Sequence, residues 1–310
     1  MNVKGYNCQL CDSKIFTKIA DYTFKNKIFK NKIIVECKKC SFKSVHPIPD
    51  EKLLEEYNKN YFLNAHNDLK LNTLEETYFN CIAKCRINFL ESSIKKNLDF
   101  KNVLEIGPGK GHFYENFKKN NKNVNYSVLE TDLGAQKILE KKNIKVYDNY
   151  EDLSENYFDL IIFSHVLEHV GDPNLFLKRI HKFLKKDGII FLEIPCLDYI
   201  YKDLIEPHIF FYDKNSLSSL LSKNNFENQA ISYFGKKIEQ MKKKPLHKQF
   251  KFRFLYFLLK LNFIFFVNLK EDEKYNFLNS KYEKILANMY QMNDLNNEPS
   301  WWIRAVATKN

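Results

Sequence analysis

Glycine is scarce in this sequence and unevenly placed. Only eight glycines occur in 310 residues, and three of them, Gly107, Gly109 and Gly111, fall within five residues. An apolar run at 103–106 precedes them and a helix-like segment follows, which predicts a strand, a tight turn and a helix N-terminus close to a ligand. The spacing is G-x-G-x-G with Glu105 before the first glycine, whereas a dinucleotide-binding fingerprint requires G-x-G-x-x-G.

The sequence also lacks a long uninterrupted apolar run. Its start, MNVKGYNCQLCDSK, has no apolar stretch of the signal-peptide kind, which predicts a cytoplasmic, reducing location. The segment 254–269 is sixteen residues long and contains Lys260, so it is too short and too interrupted for a membrane span. It follows a basic segment, 236–253, with eight Lys or Arg and one acid. The stretch 236–269 suits a peripheral contact with the inner membrane surface, a homodimer contact or a lid over the acceptor.

The composition excludes wholesale disorder. Hydrophobic residues make up 44% of the chain and aromatic residues 15%, enough to build a substantial core. The net charge of +11 indicates an anionic partner, which could be nucleic acid, a membrane surface or a phosphorylated substrate.

Four of the cysteines form two C-x-x-C pairs near the N-terminus. Cys8 and Cys11 form the first pair, Cys37 and Cys40 the second, and 25 residues with strand-like character separate them. In a reducing compartment this spacing indicates a tetrahedral structural Zn²⁺ site in a ribbon-like module over residues 1–49. Four thiolates leave no open position on the metal, so the site is expected to be structural.

A helical region separates this module from the rest of the chain. Asp50 is placed to cap a helix through LLEEYNKNYF, and a long helix over 69–96 leads into the first core strand. Residues 50–97 are therefore predicted to be a helical linker or lid. Tyr61 lies in its first part and could either cover a ligand or pack against the core.

From residue 103 onwards, apolar strand-like runs alternate with helical patterns. The continuous apolar run of YFDLIIFSHV is typical of a strand buried on both faces. An amphipathic helix is predicted between Pro173 and Gly188. The alternation predicts a doubly wound α/β sheet with a ligand at the carboxyl ends of its strands. The other predicted strands are NVNYSVLE, IKVYDN, GIIFLEIP, ISYFGKKI and SWWIRAVATKN.

Four motifs occur in the same order as in a known enzyme family. They are VLEIGPGKG, VLE ending at Glu130, FDLIIFSHVLEHVGDP and GIIFLEIP. The series resembles the class I S-adenosylmethionine (SAM) methyltransferases, and it is most similar to the zinc-ribbon-bearing enzymes of sugar and surface-polysaccharide pathways. The resemblance implies a seven-stranded Rossmann-like sheet over 98–310. It also implies a last strand that runs antiparallel between the fifth and sixth, with an insertion at about 237–298.

The resemblance also implies which residues bind SAM. Glu105 is expected near the amino-acid end of the cofactor, above the glycine turn, and the Glu130 carboxylate to accept both ribose hydroxyls. Asp148, just past the third strand, is expected near the adenine amino group, and the His165 backbone to face the cofactor. The full expected set is Glu105, Gly107, Gly109, Gly111, Glu130, Asp148, His165 and Tyr61.

Methyl transfer to an alcohol needs a base as well as alignment of the nucleophile. His208, oriented by Glu206, is the first candidate from the loop after the fifth strand, and His169 is the second. No N-P-P-Y or D-P-P-Y motif of amino-methylating nucleic-acid enzymes follows the fourth strand, and no cytosine-methylating cysteine motif surrounds Cys196. The sequence predicts O-methylation of a sugar, nucleotide-sugar or other small precursor of a surface polysaccharide. The alternative is a nucleic-acid-binding or RNA-modifying methyltransferase with a zinc ribbon.

Overall fold

The computed structural model of the protein describes residues 6–24, 26, 29–66, 72–94, 100–202, 204, 206–242, 246–263 and 273–310. The strands and helices run in this order along the chain: β1 (Phe16–Asp21), β2 (Ile33–Cys37), β3 (Lys43–His46), α1 (Glu51–Asn58), α2 (Tyr61–His66), α3 (Thr73–Ser93), β4 (Asn102–Ile106), α4 (His112–Asn120), β5 (Asn125–Leu129), α5 (Leu133–Lys141), β6 (Lys145–Tyr147), β7 (Phe158–Ser164), α6 (Pro173–Phe183), β8 (Leu184–Pro195), β9 (Phe210–Phe211), α7 (Lys214–Lys223), β10 (Phe226–Lys237), α8 (Ile238–Lys242), α9 (Leu246–Lys260), α10 (Lys281–Tyr290), β11 (Leu295–Asn296) and β12 (Ser300–Lys309).

The larger sheet is a mixed sheet in the order β11-β10-β12-β8-β7-β4-β5-β6. The five strands β6, β5, β4, β7 and β8 are parallel, and β12 lies antiparallel between β8 and β10, as expected from the resemblance. The expected count of seven strands was wrong, because β11 adds an eighth through the pairing of Asn296 with Tyr233. The carboxyl ends of β4, β5 and β7 meet at one edge of this sheet, which is where the predicted ligand residues lie.

The central strands form because their side chains are apolar on both faces. Leu160, Ile161, Ile162 and Phe163 of β7 are fully buried, since α-helices cover each side of the parallel strands. Glu193 in β8 is an exception to this apolar pattern, because it is charged and yet fully buried.

Two predicted helix boundaries need correction. The helix after Pro173 ends at Phe183 rather than at Gly188, because β8 begins at Leu184 and the chain turns at Asp187, whose φ is +59°. The helix predicted through LLEEYNKNYF is divided into α1 and α2. Parts of the long helix predicted over 69–96 lie outside the described residues, and its described part is α3.

A second, smaller sheet joins the N-terminal module to the rest of the chain. Its order is β1-β2-β3-β9, so three strands of the cysteine module continue into a strand that follows the fifth core strand. Lys43 pairs with Phe211 across β3 and β9, and the rings of Phe42 and Phe210 stack with centroids 5.7 Å apart. The module and the larger sheet therefore share one apolar core.

The predicted insertion contains three helices, and part of it lies outside the described residues. α10 packs against α3, and Tyr256 of α9 and Tyr290 of α10 reach the ligand cavity described below. The other face of α9 exposes Phe254 and Phe257. Across the described residues, no helix is both long and apolar enough to cross a membrane.

Candidate functional site

The glycine turn has the backbone that its spacing predicts. Gly107, Gly109 and Gly111 all have positive φ, at +62°, +55° and +79°. A Cβ at Gly107 would lie 2.8 Å from Val166 Cγ2, and one at Gly109 would lie 3.1 Å from Phe62 Cζ. The turn therefore needs glycine both for its left-handed backbone and for its close packing.

Glu130 holds the glycine turn from the end of β5. Its Oε2 accepts a hydrogen bond from Gly109 N at 3.1 Å, and its Oε1 accepts from Thr131 N and Asp132 N at 2.8 and 2.9 Å. Burial raises the pKa of Glu130 to about 7, although these N–H donors favour the carboxylate. The group lies at the site where the resemblance expects the ribose.

Glu105 is the second buried acid of the turn. Tyr126 donates its hydroxyl to Glu105 Oε2 at 2.7 Å, and burial raises the pKa of Glu105 to about 7. Two carboxylates that are costly to ionise thus flank the glycines, and a cationic ligand would stabilise both of them.

Two cavities meet at the glycine turn. Cavity A has a volume of about 720 Å³ and is lined by Glu105, Arg86, Lys202, Glu206 and Trp302, among others. Cavity B has a volume of about 650 Å³, and its lining includes Glu130, Gln136, Asp148 and His169. Both volumes suit a small ligand or part of a larger one.

The wall between the cavities is formed largely by α2. Tyr61, Phe62, Gly107, Gly109 and His165 line both cavities. Asp132 Oδ2 accepts a hydrogen bond from Phe62 N at 3.0 Å, which fixes the start of α2 against the region after β5. The structure thus places Tyr61 at the junction, where both the lid role and the packing role are possible.

The expected cofactor residues lie around this junction. Glu105 faces cavity A, and Glu130 and Asp148 face cavity B, where Gln136 Nε2 donates to Asp148 Oδ1 at 3.0 Å. His165 has a φ of +57°, a strained backbone for a residue with a side chain. Its N–H donates to Glu193 O at 2.8 Å, and the residue lines both cavities.

His208 lies between two carboxylates, and this geometry disfavours the predicted role as base. Its Nδ1 is 2.7 Å from Asp198 Oδ2 and its Nε2 is 3.0 Å from Glu206 Oε2. Burial alone would lower the pKa of His208, but the charges and hydrogen bonds of Asp198 and Glu206 outweigh it and raise this pKa to about 10. Both ring nitrogens are occupied and the ring is protonated at neutral pH, so it cannot take up a further proton. The predicted contact with Glu206 is present.

His169 lies beside His208 in a different electrostatic state. The two ring centroids are 4.7 Å apart, and burial together with the charge of His208 lowers the pKa of His169 to about 4. Within the described chain, neither ring nitrogen of His169 has a hydrogen-bond partner. The two oxygens of the adjacent Glu168 likewise make no hydrogen bond there, although Oε1 lies 3.2 Å from His165 Nδ1.

A cluster of buried charged side chains surrounds Glu193 and contacts His165. Arg86 Nε and Nη2 donate to Glu193 Oε1 at 2.9 and 2.6 Å, and Arg304 Nε donates to Oε2 at 2.6 Å. The Glu193 carboxylate is fully buried, and His165 Nε2 approaches its Oε1 to 3.3 Å. Arg86 also lines cavity A, so this group links the sheet core to the ligand space.

The four N-terminal cysteines converge as their spacing predicts. Their sulfur atoms lie within 4.8 Å of one another, with Cys8 to Cys40 at 3.4 Å and Cys11 to Cys37 at 3.5 Å. None is in a disulfide, and tetrahedral zinc–thiolate geometry places sulfurs about 3.8 Å apart.

The two halves of this cluster share one local geometry. Asp12 N donates to Cys8 O at 2.9 Å and Ser41 N donates to Cys37 O at 2.8 Å, and Asp12 and Ser41 both have left-handed φ near +60°. Two matching turns therefore present four thiols inwards, which fits a structural Zn²⁺.

Several residues of the site were not predicted from the sequence. Asp198 and Phe62 had no distinctive local pattern. Glu193 and Arg304 did carry a signal, since each interrupts an apolar run (IIFLEIP and WWIRAVA), and the two are direct partners across β8 and β12. Arg86 could have been found from its position on the helix that precedes the first core strand.

The middle of the chain matches a known protein family. Residues 80–231 match the family described as methyltransferase domain. Among curated proteins no match was found.

Solved structures with a similar arrangement were also found. A SAM-dependent methyltransferase from Thermotoga maritima is 15% identical and has a TM-score of 0.47, with 84% of this chain and 98% of that chain covered. A Galdieria sulphuraria protein assigned as a sarcosine dimethylglycine methyltransferase is 15% identical with a TM-score of 0.47, covering 74% and 84% of the two chains. A phosphoethanolamine N-methyltransferase from Haemonchus contortus is 13% identical with a TM-score of 0.43, covering 72% and 52%.

The matched domain begins on α3 and ends on β10, so it contains the glycine turn, Glu130 and the His208 loop. Residues 80–231 of this chain therefore match a methyltransferase domain.

Proposed function

We propose that this enzyme transfers the methyl group of SAM to an oxygen of a sugar, nucleotide-sugar or similar small precursor of a surface polysaccharide. The observation that carries the proposal is the pair of cavities joined at the glycine turn, with a buried histidine and carboxylate group at their junction. One cavity offers Glu130 and Asp148 to an adenosine, and the other offers Glu105 and Glu206 to the charged end of SAM and to the acceptor.

SAM binding is assigned to residues of both cavities. Glu130 accepts the ribose hydroxyls, Asp148 contacts the adenine amino group, and Glu105 lies near the amino-acid end of SAM. Gly107, Gly109 and Gly111 allow the backbone to pass beneath the ligand. His165 and Tyr61 close the site at the junction of the cavities.

Glu206, His208 and His169 are assigned to the acceptor. Glu206 lines cavity A, whereas His208 is almost fully buried behind it, so the carboxylate is the group that contacts an acceptor hydroxyl. Burial opposes the ionisation of Glu206, but its hydrogen bond with His208 and the charge of that ring hold its pKa well below the ordinary value. Protonated His208 therefore fixes the orientation of Glu206, and the main contribution of the site is alignment of the nucleophile in front of the methyl group.

The four-cysteine module is assigned a structural Zn²⁺ that supports this loop. Tyr22 in the module donates its hydroxyl to His208 O at 2.9 Å, and Val45 N donates to Ile209 O at 2.8 Å. In an isolated ribbon the edge of β3 would be open to a binding partner. In this protein that edge is paired with β9. This pairing favours an intramolecular role over the alternative of a nucleic-acid-binding ribbon.

The insertion is assigned as one wall of the acceptor cavity. Tyr256 and Tyr290 line cavity A, which favours the lid among the three roles left open for 236–269. The exposed Phe254 and Phe257 on α9 leave a peripheral membrane contact or a homodimer contact as additional roles for the opposite face.

A turnover assay with a panel of acceptors tests the proposed substrate class. The protein is incubated with SAM and with nucleotide-sugars, sugar phosphates, free nucleosides or short RNA, and formation of S-adenosylhomocysteine is followed. We expect turnover with at least one sugar derivative, a large loss in Glu206→Gln and little change in the surface control Glu140→Gln. Turnover with RNA alone, or equal activity of Glu206→Gln, would contradict the proposal.

A further inference from the structure

Three buried side chains close to the cavities bring possible metal-ligand atoms together. Glu168 and His169 follow β7, and His208 precedes β9. One carboxylate oxygen or ring nitrogen from each lies within 4.8 Å of the other two. All three residues are at least nine-tenths buried, with exposed fractions of 0%, 9% and 1%.

The unsatisfied atoms are the first reason to look for a missing partner. Within the described residues, both ring nitrogens of His169 and both carboxylate oxygens of Glu168 lack a hydrogen-bond partner. Leaving such groups buried without partners costs several kcal/mol for a carboxylate, so native proteins normally pair them or give them a metal ion.

We propose that Glu168, His169 and His208 form a second metal site, which binds one divalent transition-metal ion such as Mn²⁺ or Zn²⁺, with Glu206 as a further ligand. Two imidazoles and two carboxylates are a donor set that suits these ions. The site is separate from the four-cysteine cluster and has no thiolate ligand.

The distances fit such a site. His208 Nε2 and Glu206 Oε2 are 3.0 Å apart, and two neighbouring ligands at about 2.1 Å from a metal ion are themselves about 3.0 Å apart when they subtend a right angle. Ligands on opposite sides of such an ion are about 4.2 Å apart. The ligand atoms of Glu168, His169 and His208 lie within 4.8 Å of one another, which is close to this span.

The surroundings of His208 supply the support that metal-bound histidines usually have. Its Nδ1 is 2.7 Å from the buried carboxylate of Asp198, which orients the ring, and a bound metal ion would take the place of the proton that Nε2 now shares with Glu206. The two ligand-bearing segments are also fixed to each other, because Glu168 O accepts from Ile209 N at 2.7 Å and from Phe210 N at 3.3 Å. The site is thus built on rigid backbone.

The charge balance points in the same direction. Glu168, Asp198 and Glu206 bring three carboxylates to this small volume. Lys202 lies 3.1 Å from Asp198, and His165 Nδ1 lies 3.2 Å from Glu168. A divalent ion held by neutral imidazoles would add two positive charges among these carboxylates.

The role of this ion rests on the proposed methyl transfer to oxygen. Bound next to cavity A through Glu206, it would bind an acceptor hydroxyl and lower the pKa of that hydroxyl. Glu206 alone is a weak base, so such activation would make deprotonation of the acceptor easier.

Manganese binding to the full-length protein tests the site without SAM or acceptor. The protein is dialysed against EDTA, freed of the chelator, given one equivalent of Zn²⁺ to fill the four-cysteine site, and then titrated with Mn²⁺ while free Mn²⁺ is measured by electron paramagnetic resonance. We expect one Mn²⁺ per chain, displaced by an equivalent of Zn²⁺, and at least tenfold weaker binding in His169→Gln and Glu168→Gln.

Two control variants show whether Mn²⁺ binding belongs to this cluster. His181→Gln changes a histidine on α6 and Cys81→Ser changes a buried cysteine on α3, both outside the cluster; both variants should keep Mn²⁺ binding. Circular dichroism melts show whether the His169 and Glu168 variants are folded. Absence of Mn²⁺ binding and of a second bound Zn²⁺ in the wild type, or wild-type binding by folded His169→Gln, would overturn the metal site. Either result would leave SAM binding and methyl transfer untouched.

Discussion

At the scale of single residues, the glycine turn is the least replaceable part of the site. Gly107 combines a φ of +62° with a would-be Cβ only 2.8 Å from Val166, whereas a Cβ at Gly171 would meet nothing closer than Leu54 Cδ1 at 3.5 Å. The two glycines thus differ in both backbone strain and available space.

Gly107→Ala should therefore be much more costly than Gly171→Ala. We expect Gly107→Ala to lower the free energy of unfolding by about 1–3 kcal/mol and to abolish measurable SAM binding. Gly171→Ala should change the free energy of unfolding by less than about 1 kcal/mol. Urea denaturation and calorimetry measure both quantities, and equal effects of the two substitutions would show that the turn is not constrained as described.

The two acids of the turn should make SAM binding depend on pH. The pKa values of Glu105 and Glu130 are raised to about 7 by burial, and the cationic cofactor favours their ionised forms. SAM affinity should therefore increase as pH rises through 7, and below 7 it should weaken by up to about tenfold per pH unit for each group. Calorimetry between pH 5.5 and about 8.5 measures this. Glu130→Gln should flatten the profile, and an unchanged profile in that variant would refute the assignment.

The same raised pKa values have the opposite effect on the stability of the cofactor-free protein. A carboxyl whose pKa is higher in the folded than in the unfolded chain contributes stability below the unfolded value, and this contribution is lost as pH rises through about 7. Glu105 and Glu130 thus reduce the stability of the free protein at neutral pH, where the ionised groups serve ligand binding.

The buried group around Glu193 can be tested by a double-mutant cycle. Arg304→Met leaves the Glu193 carboxylate with Arg86 as its main partner in the fully buried interior, and Glu193→Met leaves the Arg304 guanidinium without its carboxylate. Each single change should cost about 3–5 kcal/mol in the free energy of unfolding, because it uncovers a buried charge. The double variant should cost clearly less than the sum. Additive losses in denaturant titrations would show that the two charges are not coupled.

At the scale of secondary-structure elements, the smaller sheet connects the four-cysteine module to the methyltransferase domain. β3 pairs with β9, which begins two residues after His208, and Tyr22 donates a hydrogen bond to the carbonyl of His208. Under the proposed assignment, the bound metal supplies stability that the small core of this module lacks. Loss of the metal should therefore loosen the loop that carries Glu206 and His208.

Cys40→Ser tests this connection. We expect the variant to lose its zinc, to show faster hydrogen exchange over residues 206–212 and to keep SAM affinity within about threefold, because the glycine turn lies on the larger sheet. Cys81→Ser is a matched control, since Cys81 is buried on α3 in a different apolar cluster. Exchange rates over 206–212 that match the wild type would mean that the module does not support this loop.

How much could be predicted from the sequence depended on the length and burial of each element. The central strands were found because parallel strands covered on both faces are continuous apolar runs, as in β7. β9 and β11 were missed because each has two residues, and pairing with a distant strand leaves no local pattern. For the same reason Asp198 was missed, since its contact with His208 is made by the fold and not by any spacing in the sequence.

At the scale of the whole molecule, every part of the described chain contributes to one ligand space. The larger sheet supplies the glycine turn, α2 divides the space into two cavities, the cysteine module supports the His208 loop, and α9 and α10 close the side of cavity A. Under the proposed assignment, SAM binding and acceptor recognition use different parts of this space. The motifs in the sequence identified the first function, whereas the second depends on contacts between distant segments.

The most direct test of SAM binding at the glycine turn is the titration of SAM into the full-length protein by isothermal calorimetry. We predict one SAM bound per chain, with affinity at least tenfold weaker in Glu130→Ala, since a hydrogen bond to a charged group is worth about 1.5–3 kcal/mol. The exposed-surface variant Glu140→Ala, on the neighbouring α5, should bind as the wild type does. No binding by the wild type, or equal affinity of Glu130→Ala, would contradict the central claim.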